Sequence, residues 1–199
     1  MKIIGICGPS GSGKSTVSRF FAEKEIPVLD CDVIYHHLVS SNTPCLRAIQ
    51  KRFGDGVVQN NTLDRKALSA IVYTDRALLE ELNNISHKFV LEELRRKLTD
   101  LEKRRTPFCI IDAPLFFEAG LDDWCDFVCA VISDPANQIR RICDRDGIDP
   151  ATAKLRVGNQ FSANALKDKV DFIIENNGDL DDLGEKCQKL FELIQLMFN

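Results

Sequence analysis

The segment Gly8-Pro9-Ser10-Gly11-Ser12-Gly13-Lys14-Ser15 constrains this chain more than any other, because it dictates both a backbone shape and a charge. It matches the pattern G-x-x-x-x-G-K-[ST] in full. The apolar run over residues 2–7 reads as a buried strand, and Lys14 to about Glu23 reads as a helix. Strand, glycine turn and helix in that order form the setting in which this motif cradles phosphate. Gly8, Gly11 and Gly13 let the backbone bend so that N–H groups converge on phosphate oxygens. The helix start adds the positive end of its dipole. Lys14 is expected to reach the β- and γ-phosphates of ATP, and the Ser15 hydroxyl to ligate Mg²⁺. A chance glycine turn would need neither the strand before it nor the helix after it.

Four further apolar runs read as strands. They are Pro27-Val28-Leu29 ending at Asp30, Phe108-Cys109-Ile110-Ile111 ending at Asp112, residues 127–132, and Phe172-Ile173-Ile174. From Val33 to about Arg105 the spacing is helical, as in Leu78, Leu82, Ile85 and Phe89, with a turn signal at Asn60-Asn61. Helices alternating with short apolar strands predict an α/β fold: a phosphate-loop α/β/α three-layer unit on a parallel five-stranded sheet. About seventy residues separate the second and third strands, more than a simple crossover needs. They are expected to form a helical insertion at the sheet's carboxyl edge, where open α/β sheets bind ligands. The predicted divisions are a nucleotide core over 1–32, 106–139 and 170–199, a helical substrate-binding insertion over 33–105, and a lid over 140–169.

Charge narrows the function classes. With 26 basic against 30 acidic side chains the net charge is −4, which argues against a general nucleic-acid partner. The opening apolar run is too short for a signal segment, and no stretch reaches the apolar length of a membrane span. A cytoplasmic location without a membrane partner is expected. The eight cysteines form no C-x-x-C pair and read as small buried thiols of a reducing compartment. His36, His37 and His87 show no metal-ligand spacing.

Several charged residues sit where phosphate chemistry could use them. Asp30-Cys31-Asp32 follows the second strand, and a carboxylate there could accept the proton of an attacking hydroxyl. An Asp before Val33-Ile34 is equally a helix N-cap, and spacing alone does not choose between the two aspartates. Asp112, at the tip of the third strand, suits a carboxylate that organises Mg²⁺ through water, or a turn residue. Arg140, Arg141, Arg145 and Arg156 follow the fourth strand and could offset charge on the transferring phosphoryl group, or form a solvated helix face.

Taken together, these residues resemble the dephospho-coenzyme A kinase family over nearly the whole chain. The resemblance is carried by Gly11-Ser12-Gly13-Lys14-Ser15-Thr16 and Pro27-Val28-Leu29-Asp30-Cys31-Asp32. It continues through Pro44 to Phe53-Gly54, Leu63-Asp64-Arg65 and Leu68. The most specific segment is Asp112-Ala113-Pro114-Leu115-Phe116-Phe117-Glu118-Ala119-Gly120-Leu121. Arg145-Asp146-Gly147, Gln160, Asp171-Phe172-Ile173-Ile174 and Asn176-Asn177-Gly178 complete it. The chain departs from the family's usual pattern at Lys88, Leu166 and Val170. The resemblance implies ATP-dependent phosphorylation of the ribose 3′-hydroxyl of dephospho-CoA by a core, a CoA-binding helical domain and a lid. It implies ATP binding by Gly11 through Thr16, Asp32 as the base, and Arg141 and Arg145 near the phosphates. It also implies substrate contacts from Asp30, Asp64, Arg65, His87, Pro114 and Leu115, with Mg²⁺ at Ser15 and, through water, at Asp112. A monomer is expected. The guanine-reading N-K-x-D of a GTPase does not occur.

Overall fold

The computed structural model describes residues 1–158 and 163–198. The chain packs as two units, one of Met1–Leu29 with Arg105–Asn199 and one of Asp30–Arg104. The first unit is built on a sheet of β1 (Lys2–Cys7), β2 (Val28–Asp30), β5 (Phe108–Asp112), β6 (Phe127–Ile132) and β7 (Phe172–Glu175) in the order β2-β5-β1-β6-β7. β1 pairs in parallel with β5 on one side, Ile4 opposite Ile110, and with β6 on the other, Ile4 opposite Phe127. β5 and β6 are buried at every residue, which is why they read as unbroken apolar runs rather than as alternating ones. The chain passes from β5 to β6 across β1, so the strand order reverses around β1. The crevice beyond its carboxyl end is where such a sheet takes a ligand.

One face of the sheet is covered by α1 (Lys14–Glu23) and α9 (Leu180–Phe198). Leu183, Cys187, Leu190 and Ile194 recur at four, three and four residues along α9 and join Val17 and Phe21 of α1 over Ile4, Ile6, Cys129 and Val131. Gly5 explains itself inside the central strand: a Cβ there would lie 2.3 Å from the Phe116 ring. Part of the 112–121 segment is therefore packing, with Phe116 fully buried and edge-on to Phe117 at 5.4 Å between centroids.

α6 (Pro135–Asp146) starts on Pro135 at a helix-compatible first position and ends at Gly147, whose φ is +65°. It begins before residue 140, so the expected start of the lid falls inside a helix. α7 (Pro150–Gly158) and α8 (Ala163–Lys167) follow, and this stretch belongs to the first unit. Gln160 lies outside the described residues.

The second unit comprises α2 (Cys31–Leu38), α3 (Pro44–Phe53), a hairpin of β3 (Val58–Gln59) and β4 (Thr62–Leu63), α4 (Arg65–Val72) and α5 (Arg76–Lys103). It has its own core, in which Val39, Leu46, Ile49, Val57, Leu63 and Leu68 meet Leu78, Leu82, Ile85 and Phe89 of α5. The Asn60-Asn61 turn is present, with φ of 50° and 60°, the left-handed pair a two-residue hairpin needs. Its flanking strands are two residues each, too short to leave a period in the sequence. Among the described residues no helix is long and apolar enough to cross a membrane.

Candidate active site

The loop between β1 and α1 is shaped by neighbours as well as by its glycines. Gly13 is the N-cap of α1 with φ of 100°, and no side chain caps the helix. The first amides of α1 are thus left for an exogenous acceptor, which is what an anion supplies. A Cβ at Gly13 would fall 2.1 Å from Asn176 Nδ2, and one at Gly11 (φ 76°) 2.6 Å from the Gln138 carbonyl. Ser12 N–H donates to the Pro9 carbonyl at 3.2 Å, closing the turn. Ser15 stands exposed in the first turn of α1, with Thr16 half-buried beside it.

Two side chains of α1 converge on Asp112 at the end of β5. Lys14 Nζ forms an ion pair with Oδ1, and Ser18 Oγ donates to Oδ2 at 2.5 Å. Asp112 is 3% exposed, so both carboxylate oxygens are satisfied in an almost dry setting. Ser18 was not anticipated from the sequence. It sits four residues after Lys14, on the same face of the helix, and that spacing was the available signal.

Arg141 lies half-buried in α6, with its guanidinium against the back of the loop. Nη1 donates to the carbonyls of Gly11 (3.2 Å) and Ser12 (3.4 Å) and to Ser133 Oγ (3.3 Å), and Nη2 donates to the Asn176 carbonyl (3.2 Å). These acceptors are all neutral. Burial, reinforced by the neighbouring Arg140, holds the Arg141 pKa below its ordinary value. Among the described residues this positive charge meets only dipoles, and beside an uncapped helix start it suits the loop to an anion. Arg145 pairs with Asp146 and approaches Ser10 Oγ at 3.5 Å, while Arg156 also reaches Asp146, at 2.7 Å. Arg140 is exposed and bonds Asn137 in its own helix. Pro114 and Leu115 follow β5, with Leu115 exposed.

A sequence model of the family described as dephospho-CoA kinase matches residues 2–182. The chain belongs to the dephospho-CoA kinase family. A dephospho-CoA kinase from Fusobacterium nucleatum is 39% identical over 196 residues, covering 96% of this chain and 98% of its own. A solved structure from Thermus thermophilus superposes with a TM-score of 0.81 at 28% identity, covering 96% of each chain. Dephospho-CoA kinase from Campylobacter jejuni gives 0.73 at 25% identity over 98% of each.

In this dephospho-CoA kinase family member, the remaining candidates lie in the second unit. Asp30 is the N-cap of α2: its Oδ1 accepts from the amides of Asp32 (2.8 Å) and Val33 (3.0 Å). Asp32 is exposed in the first helical turn. Replacing Asp30 with Ala is expected to cost about 1 kcal/mol of stability, read by urea denaturation, through loss of the cap. Asp64 similarly caps α4, accepting from the Ala67 amide at 2.9 Å, and also accepts from Gln59. Arg65 Nη2 donates to His36 Nδ1 at 2.9 Å, and His87 is half-buried in α5. The unit brings Arg65 and His36 together, a pairing that no spacing in the sequence signals.

The donor set suits Mg²⁺. Ser15 offers a hydroxyl and Asp112 a carboxylate, both hard oxygen donors, and among the described residues no group of three or more His, Cys, Asp or Glu forms a dedicated cage. Such a sparse set fits an ion that arrives with nucleotide phosphates. Cys7, Cys109 and Cys125 are poor nucleophiles here, because burial pushes each thiol up to about 12.

Proposed function

We infer that this chain transfers the γ-phosphate of ATP to the ribose 3′-hydroxyl of dephospho-CoA, giving CoA and ADP. The observation that carries this reading is the uncapped start of α1 with Lys14 and Arg141 around it, in a chain of this family. The loop from Gly11 to Thr16 binds the ATP phosphates through its amides. Lys14 exchanges Asp112 for the β- and γ-phosphates. Ser15 and, through water, Asp112 would hold Mg²⁺, which would supply positive charge to offset that of the ATP phosphates.

Asp32 accepts the proton of the 3′-hydroxyl as its oxygen attacks the γ-phosphorus, and ADP leaves in line. Asp30 supports this division of labour, because its carboxylate is engaged in capping α2. Arg141 and Arg145 lower the energy of charge building on the phosphoryl group. Asp64, Arg65, His87, Pro114 and Leu115 contribute to binding dephospho-CoA. Residues 140–169 act as a lid that excludes water during transfer and limits ATP hydrolysis.

The test is purified protein with ATP, MgCl₂ and dephospho-CoA, the product being analysed by mass spectrometry and ³¹P NMR. A new phosphomonoester on the ribose 3′-oxygen is expected. Nucleosides, nucleotides and shikimate form the acceptor panel. Faster transfer to any of these would overturn the acceptor assignment.

A further inference from the structure

Asn176, the first residue after β7, is 4% exposed and bonded at every polar atom. Its N–H donates to the Ile132 carbonyl at 2.8 Å. Its own carbonyl accepts from Ser133 Oγ at 2.7 Å and from Arg141 Nη2. Its side-chain oxygen accepts from Arg141 Nη2 at 3.4 Å, leaving Nδ2 to donate to the Ser12 carbonyl at 2.7 Å. The Ser12 carbonyl therefore has two donors behind it, Asn176 and Arg141, and the Gly11 carbonyl has Arg141.

Peptide planarity converts this into a statement about the phosphate cradle. In a trans peptide the C=O and the following N–H point in opposite directions. Holding the Ser12 carbonyl backward aims the Gly13 N–H forward, into the anion site. Holding the Gly11 carbonyl fixes the Ser12 N–H, which closes the turn on Pro9. Gly13 matters twice, for its φ of 100° and for the close approach of Asn176 Nδ2. An unclamped glycine loop could rotate these peptide planes at little steric cost, and the cradle would have to be assembled at the expense of binding.

We propose that Asn176 is a positioning residue for the nucleotide phosphates, acting with Arg141 by locking the Ser12–Gly13 peptide with its N–H toward the phosphate site. This rests on the reading that the loop binds ATP. The test compares Asn176→Asp, which keeps the shape but removes the donor, and Asn176→Ala with the unsubstituted protein. Calorimetry with ADP and with dephospho-CoA is run well below each variant's own melting temperature. Loss of one buried donor predicts a rise of about tenfold in the ADP Kd, with the dephospho-CoA Kd unchanged. The KM for ATP should rise in parallel while kcat changes by less.

A purely structural Asn176 would lower Tm and leave the ADP Kd of the folded protein at its original value, and that result overturns the proposal. In the unsubstituted protein, the Gly13 amide proton should show a large downfield NMR shift on adding ADP. A Gly13 amide unmoved by bound ADP overturns the proposal even if neither variant folds. Absence of ADP binding to the unsubstituted protein would instead defeat the underlying reading of the loop.

Discussion

Replacing Asp32 with Asn is expected to lower kcat by about 10²- to 10⁴-fold while ATP binding stays close to its original strength. Asn keeps the size and shape of the side chain but cannot act as a base at neutral pH, so only the proposed base is removed. The local structure favours a clean result. Asp30, not Asp32, caps α2, so the helix should survive the change. An acidic residue in the first turn complements the positive end of the helix at modest energy, roughly 0.3–1 kcal/mol at an exposed site. The paired control is Asp30→Asn, which should weaken α2 slightly and leave kcat within a few-fold. Steady-state kinetics on both variants decides the matter. Undiminished turnover by Asp32→Asn would remove Asp32 from the chemistry, and a large kcat loss in Asp30→Asn would move the base two residues earlier.

That contrast shows where the sequence was readable and where it was not. The strand, loop and α1 were legible because each is specified by contiguous residues, with the apolar run, the glycines and Lys14 all within fifteen positions. Spacing alone left Asp30 and Asp32 equivalent and only the family resemblance favoured Asp32, whereas the backbone amides engage Asp30. Phe116 carried family information in the sequence, yet its ring fills the space above Gly5, a contact that exists only because β5 lies beside β1. Asn176 was visible only as part of a resemblance. Its role arises because β7 pairs with β6, so that a residue 164 positions away meets the Ser12 carbonyl. Arg141 read as a lid charge, but the geometry also makes it a donor to the loop's own carbonyls. Local pattern reports elements well. It is silent about which loop carbonyl a distant side chain will reach, since that depends on strand order.

Lys14→Met should strip about 10²- to 10³-fold from kcat/KM by removing the cation proposed to meet the transferring phosphate. It should also destabilise the fold, which most active-site substitutions do not. Asp112 is almost fully buried, and its only charged partner among the described residues is Lys14. Removing one member of such a pair strands a carboxylate that Ser18 alone cannot compensate, at a cost of about 3 kcal/mol. Adding Asp112→Asn to Lys14→Met removes the stranded charge, and the new amide oxygen can still accept from Ser18 Oγ. The double variant is therefore expected to regain stability to within about 1 kcal/mol of the unsubstituted protein, yet to remain as inactive as Lys14→Met. Urea denaturation of all four proteins gives the coupling between the two sites, and assays on the same samples give the activities. Equal stability of Lys14→Met and the double variant would show that the stranded carboxylate carries no penalty. Recovery of activity in the double variant would show that the lysine acts on Asp112 rather than on phosphate. The expected separation, stability restored and catalysis not, follows from one ammonium group serving a buried carboxylate before the nucleotide binds and the phosphates afterwards.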